Sequence, residues 1–124
     1  MEVNFFLGFV DSHTHSCFAG DRLAEFVLKL EGASYIEVHE KGGGIHYTVR
    51  CMREAKEDDL LQDLVKRLEL MLKCGTTTVE VKSGYGLDTK TEIKMLQVIN
   101  RAKHLLAGRI TVVPTFCGAH AVPQ

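Results

Sequence analysis

Between residues 54 and 73 the apolar side chains Leu60, Leu61, Leu64, Val65, Leu68 and Leu72 recur at spacings of three and four, with charges between them. That period lays one apolar stripe along one face of an α-helix. Gly75 follows as the helix stop. The period then changes. Thr76-Thr77-Thr78-Val79-Glu80-Val81-Lys82 is rich in β-branched residues and reads as a strand. Ser83-Gly84-Tyr85-Gly86 reads as a turn. A second helix is predicted from Thr89 to Leu106, opened by a capping box of Thr89 and Glu92 and ended by Gly108. Ile110-Thr111-Val112-Val113 opens a further strand, which Pro114 interrupts and Gly118-Ala119-His120 ends. Upstream, residues 5–13 read as a strand. Residues 16–53 read as irregular and glycine-rich, and loops of such length are usually functional.

Strand, helix, strand, helix, strand is the grammar of a parallel α/β sheet. Active sites in such sheets lie at the C-terminal ends of the strands. The polar residues with chemical potential fall there: His13 and His15 after the first strand, Lys82 to Tyr85 after the second, Cys117 to His120 after the third. Three strands and two helices cover a parallel sheet poorly, and a (β/α)8 barrel takes about 250 residues. Residues 1–124 therefore read as a single partial domain, the opening three βα units of a larger fold, truncated at the third strand.

The chain's 124 residues suffice for a real core. Fifteen basic against sixteen acidic residues leave a net charge of −1, which argues against nucleic acid or an anionic membrane as partner. No stretch has the uninterrupted apolar length of a membrane helix. Met1-Glu2-Val3-Asn4-Phe5-Phe6 lacks the basic start of a signal peptide. Cys17, Cys51, Cys74 and Cys117 form no Cys-x-x-Cys pair and read as reduced thiols of an intracellular, cytoplasmic protein. Cys17 reads as a small buried hydrophobe.

His13 and His15 carry the sharpest chemical signal. In an extended chain Asp11, His13 and His15 share a face. Two neutral imidazoles side by side suit zinc or iron, and Asp11 could orient one of them. The ordinary alternative is a pair of surface histidines at a strand end; the apolar run leading into them weighs against it. Arg22, in a polar loop, is ordinarily a solvated charge. Tyr85 between two glycines is a large aromatic where a turn gains little from one. His120 either ends a strand or works in a site. His39, His46 and His104 have no partner motif, and His104 falls on the surface of the second helix. Gly42-Gly43-Gly44 could cradle an anion, but it lacks the Lys-Ser/Thr of a phosphate loop, which argues against nucleotide.

Gly8-Phe9-Val10-Asp11-Ser12-His13-Thr14-His15 resembles the first-strand metal motif of the amidohydrolase superfamily. Phe18-Ala19-Gly20-Asp21-Arg22, Gly32-Ala33-Ser34-Tyr35, Gly42-Gly43-Gly44-Ile45, Val81-Lys82-Ser83-Gly84-Tyr85-Gly86-Leu87 and Gly118-Ala119-His120-Ala121-Val122-Pro123 resemble, in order, the imidazolonepropionase family. The resemblance covers nearly all of the chain after residue 7. It implies a distorted (β/α)8, TIM-like barrel with a small β-sandwich domain. It implies hydrolysis of 4-imidazolone-5-propanoate, a small-molecule substrate, to N-formimidoyl-L-glutamate in L-histidine degradation. It also implies one divalent or trivalent metal ion, zinc or iron, and a homodimer of the full-length protein. By motif match His13 and His15 are its first metal ligands. Arg22, Tyr85, His120 and Tyr35 are its substrate contacts, and His120 is a catalytic candidate as well. The family's remaining metal ligands and its catalytic carboxylate have no match before Gln124. Lys82 is similar to the bridging lysine of two-metal amidohydrolases but reads as positioning or structural, because the resembled family uses one metal. The alternative is an inactive or non-catalytic chain derived from that enzyme, binding metal or a partner through an open sheet edge.

Overall fold

A computed structural model describes residues 7–34, 37 and 43–123. In chain order its elements are β1 (Phe9–Asp11), α1 (Leu23–Leu30), α2 (Ile45–Glu54), α3 (Glu57–Lys73), β2 (Thr76–Lys82), α4 (Thr89–Leu105) and β3 (Thr111–Thr115). The strands form one parallel sheet in the order β1-β2-β3. The expected α/β class with a parallel sheet is therefore present.

The periodic stripe forms as expected. Leu60, Leu61, Leu64 and Leu68 are the buried positions of α3. They join Val79 and Val81 of β2, Val112 of β3, and Met95, Val98, Ile99 and Ala102 of α4 in one core. Alternation along β2 sends Val79 and Val81 into that core and Thr78, Glu80 and Lys82 to the other face. There Lys82 pairs with Glu80, both side chains 17% exposed, which holds the Glu80 carboxyl below the usual carboxylate range. Gly75 ends α3 as expected: it sits at φ 99°, a left-handed conformation suited to glycine, and its N–H donates to the Leu72 carbonyl at 2.9 Å.

Four expectations change. The first described strand runs only from Phe9 to Asp11, shorter than the predicted 5–13; positions 5 and 6 lie outside the described residues. The segment 16–53 contains two helices. In α1 the apolar residues Leu23, Phe26, Val27 and Leu30 recur at i, i+3, i+4 and i+7, a short helical stripe that the irregular reading passes over, and all are at least half exposed. In α2 the buried side comprises Thr48, Val49 and Met52, too few positions to read as a period. The helix predicted from 54 begins at Glu57, because Ala55 is extended at φ −66° and ψ 141° and separates α2 from α3. Finally, β3 includes Pro114 and stops at Thr115, so Gly118 to His120 lie beyond the strand. With no partner strand beyond β3 among the described residues, a residue without an N–H is tolerated there.

The α2–α3 corner is fastened by Lys94 of α4. Its ammonium donates to the carbonyls of Met52, Arg53 and Ala55 at 2.6, 3.2 and 2.9 Å. Carbonyls at a helix C-terminus lack partners within the helix, and the helix dipole favours a cation there. Burial holds the Lys94 pKa below the usual lysine value. Lys94→Met keeps the stem and removes the three donors. The expected result is a loss of about 1–3 kcal/mol, read as a lower urea midpoint. An unchanged midpoint would mean that water replaces the ammonium at no cost.

Candidate functional site

After Asp11 the chain leaves β1 but stays beside the C-terminal end of β2. Lys82 N–H donates to the Thr14 carbonyl at 2.9 Å, and the Thr14 hydroxyl donates to the Glu80 carbonyl at 2.7 Å. These bonds place His13 and His15 over the sheet edge where active sites of parallel sheets lie. The two rings are 5.4 Å apart between centroids, edge to face. The two imidazoles lie side by side as expected, although the strand ends at Asp11 and they follow it rather than belong to it. Asp11 does not orient an imidazole through its carboxylate: Oδ1 accepts from the backbone N–H of His13, at 3.2 Å.

His15 is the hub. His120 stacks on it with centroids 4.3 Å apart and planes 9° from parallel, and Tyr85 lies 5.3 Å away. Tyr85 and His120 are themselves 5.4 Å apart. Segments separated by 105 residues of sequence thus meet in one cluster, as the three polar clusters at the strand ends suggested. Burial, then the neighbouring His120, His13 and Lys82, lowers the His15 pKa. Its Nδ1 is buried without a hydrogen-bond partner among the described residues. An orphaned buried imidazole nitrogen is costly and calls for an explanation.

His120 is oriented by one contact, Nδ1 to the Gly84 carbonyl at 3.0 Å. A carbonyl only accepts, so Nδ1 carries the proton. The neutral ring then offers Nε2 as an acceptor. Gly84 has to be glycine: φ is 116°, and a Cβ would sit 2.9 Å from the Cys117 carbonyl oxygen and 3.0 Å from His120 Nδ1. Burial raises the Tyr85 pKa, with Arg22 acting in the opposite direction, so its phenol stays protonated near neutrality.

Arg22 stands at the start of α1 with its side chain 40% exposed. Its Nε donates to Glu25 Oε2 at 2.8 Å, and Nη2 donates to the same oxygen. Glu25 also accepts the Gly44 N–H on Oε1 at 2.9 Å. The hydrogen bond from Arg22 is the main cause holding the Glu25 carboxyl below the usual range. Sequence reasoning missed Glu25, which the structure shows buried beneath the arginine. Arg22, His15 and Tyr85 line one groove of about 420 Å³, with Phe18 and Phe26 on its apolar side. A hollow of about 540 Å³ between α4 and the end of β3 is larger, but Leu87, Ile93, Leu96 and Phe116 line it and no imidazole or guanidinium does. The groove beside His15 is the better binding candidate, because converging polar groups on an apolar wall make a small-molecule site.

The expected site residues His13, His15, Arg22, Tyr85 and His120 thus converge, whereas Tyr35, His39 and Gly42 lie outside the described residues. His104 is exposed in the last turn of α4, and Cys17 is fully buried with its thiol pushed up to about 12 by desolvation, the inert reading in both cases. All four cysteines are free. Among the described residues no three of His, Cys, Asp and Glu gather into a metal-ligand group. Two imidazoles and the orphaned His15 Nδ1 fit part of a metal site, since neutral imidazole is a common zinc and iron ligand and catalytic sites normally use three or more protein ligands. Among the described residues no helix is long and apolar enough to cross a membrane.

No family model matches the chain. Curated relatives do. A protein of Nematostella vectensis named probable imidazolonepropionase is 56% identical over 117 residues, covering 94% of this chain and 27% of the relative. The human protein of the same name is 54% identical with the same coverage of both. The imidazolonepropionase of Haloarcula marismortui is 58% identical, again over 94% of this chain and 27% of the relative. The chain is thus similar to the N-terminal part of proteins named imidazolonepropionase and spans about 27% of the length of the curated relatives it matches.

Proposed function

We propose that this chain supplies the first metal ligands and the main substrate contacts of an imidazolonepropionase. The reaction would be hydrolysis of the cyclic amide of 4-imidazolone-5-propanoate to N-formimidoyl-L-glutamate, in L-histidine degradation. The observation that carries this reading is the groove in which Arg22 and Tyr85 flank His15 while His120 stacks on it. His13 and His15 would hold the metal. The chemistry supplied by zinc or iron, when bound, is activation of water near neutral pH. The rest falls to the chain's own groups. Arg22, pre-set by Glu25, binds the carboxylate tail through its planar fork. The neutral Tyr85 phenol donates to the polar rim of the imidazolone ring. His120, its Nδ1 committed to Gly84, presents Nε2 as acceptor to a ring N–H and so orients the amide. Phe18 and Phe26 exclude water from that side.

In the same reading the three parallel strands open a (β/α)8 barrel, with the Glu80–Lys82 face of β2 turned to its interior. A homodimer and a cytoplasmic setting belong to the proposal as well.

The test is turnover. This chain, within a protein that also carries the remaining metal ligands and the catalytic carboxylate, is loaded with zinc or iron and given 4-imidazolone-5-propanoate, and N-formimidoyl-L-glutamate is followed by mass. Arg22→Lys keeps the charge and loses the fork. A fall in kcat/KM of about tenfold to a hundredfold is expected, chiefly through KM. Absence of product from the parent would overturn the assigned reaction, and a parental KM in the variant would remove Arg22 from the site.

A further inference from the structure

The segment that carries Tyr85 closes on a single side chain. Glu92, in the first turn of α4 and 4% exposed, accepts the Gly84 N–H on Oε2 at 3.0 Å. On Oε1 it accepts the N–H groups of Gly86 and Leu87, at 2.7 and 3.1 Å. These donors flank Tyr85 on both sides. The capping box expected of Thr89 and Glu92 is absent. Asp88 caps α4 instead, its carboxylate accepting the Thr91 N–H at 2.8 Å, and Glu92 is left to face the loop. The fit is tight, because a Cβ at Gly86 would come within 2.6 Å of the Glu92 nitrogen and 2.8 Å of Oε1. Leu87 takes φ 53°, rare for a non-glycine residue, so the loop conformation is held from outside.

We propose that Glu92 is a positioning residue whose buried carboxylate fixes loop 84–87 and thereby sets Tyr85 and His120 against His15 at the groove. The link to His120 runs through Gly84, whose N–H is held by Glu92 and whose carbonyl takes His120 Nδ1. This inference rests on the reading that Tyr85 and His120 contact substrate. Three donors on two oxygens require a carboxylate. A glutamine of the same shape offers one oxygen, so its NH2 confronts an N–H on the other side.

The test compares Glu92→Gln with Glu92→Asp in the protein by amide and imidazole NMR and by KM for 4-imidazolone-5-propanoate. In Glu92→Gln the helical circular dichroism should persist, the Gly84 amide and His120 Nδ1 signals should move, and the Tyr85–His120 ring contacts should weaken. KM should rise about tenfold, with kcat changed less than about threefold. Glu92→Asp keeps the charge and should restore part of the KM. A folded Glu92→Gln protein with parental ring contacts and KM overturns the proposal. If that variant does not fold, hydrogen exchange of the parent decides: joint protection of the Gly84, Gly86 and Leu87 amides is expected, and free exchange there beside a protected α4 overturns it. Should the parent turn over no substrate, the functional reading fails while the NMR and exchange arms still judge the clamp.

Discussion

Alanine at both His13 and His15 is expected to lower the chain's zinc affinity at least about a hundredfold. Structural zinc sites with four ligands bind with about 10–16 kcal/mol, so each ligand carries roughly 3 kcal/mol and two carry far more than the 2.7 kcal/mol of a hundredfold change. Among the described residues no group of three candidate ligands stands ready elsewhere to replace them. His104→Ala is the control, an exposed imidazole in the last turn of α4. Isothermal titration with zinc reads both. A double variant that binds as tightly as the parent would put the metal elsewhere and remove the foundation of the proposed site.

Leu68→Ala is expected to destabilise the fold by about 2–5 kcal/mol. Leu68 is wholly buried in α3, within the core shared with β2 and α4. Truncation removes apolar contact and leaves a cavity, because a close-packed interior relaxes only in part. Against a total stability of about 5–15 kcal/mol such a loss is large. Leu70, two residues on in the same helix, is 63% exposed. Leu70→Ala should therefore stay within about 0.5 kcal/mol of the parent. Urea denaturation of the two variants separates them, and equal midpoints would contradict the assigned helix face.

The halves of this chain differ in legibility for a physical reason. From Glu57 to Thr115 each element buries one face against its sequence neighbours, so periods of 3.6 and 2 are written into the residues. β2 begins and ends at the residues its β-branched run indicates, and Gly75 stops α3 where a left-handed residue is needed. The region before it buries little locally. α1 does carry Leu23, Phe26, Val27 and Leu30 at helical spacing, but the stripe is only eight residues long, stays exposed and sits in a glycine-rich stretch that reads as loop. The site is legible in composition and not in geometry. His13 and His15 are recognisable as a pair, and Tyr85 as an odd residue for a turn, but β1 ends at Asp11, so the backbone that brings the two rings within 5.4 Å lies beyond the strand whose period suggested it. Glu92 is the clearest failure. Local rules assign it to a helix cap, whereas loop 84–87 folds back over it, a tertiary event that spacing does not encode.

The order β1-β2-β3 has a consequence for how the cost of ordering the chain is distributed. Pairing Thr78 with Thr111 closes a loop of 33 residues, much of it already shortened by α4. Pairing Val10 with Thr78 closes one of 68. Doubling a loop adds about 0.6 kcal/mol of chain entropy, and β1 returns only three residues of ladder against that cost. Tyr85 and His120 are therefore held by the shorter closure, whereas the two imidazoles hang on the longer and thinner one. The cluster around His15 joins a well-anchored wall to a weakly anchored one, and a ligand that bridges both would tether β1 to the sheet as well as occupy the groove.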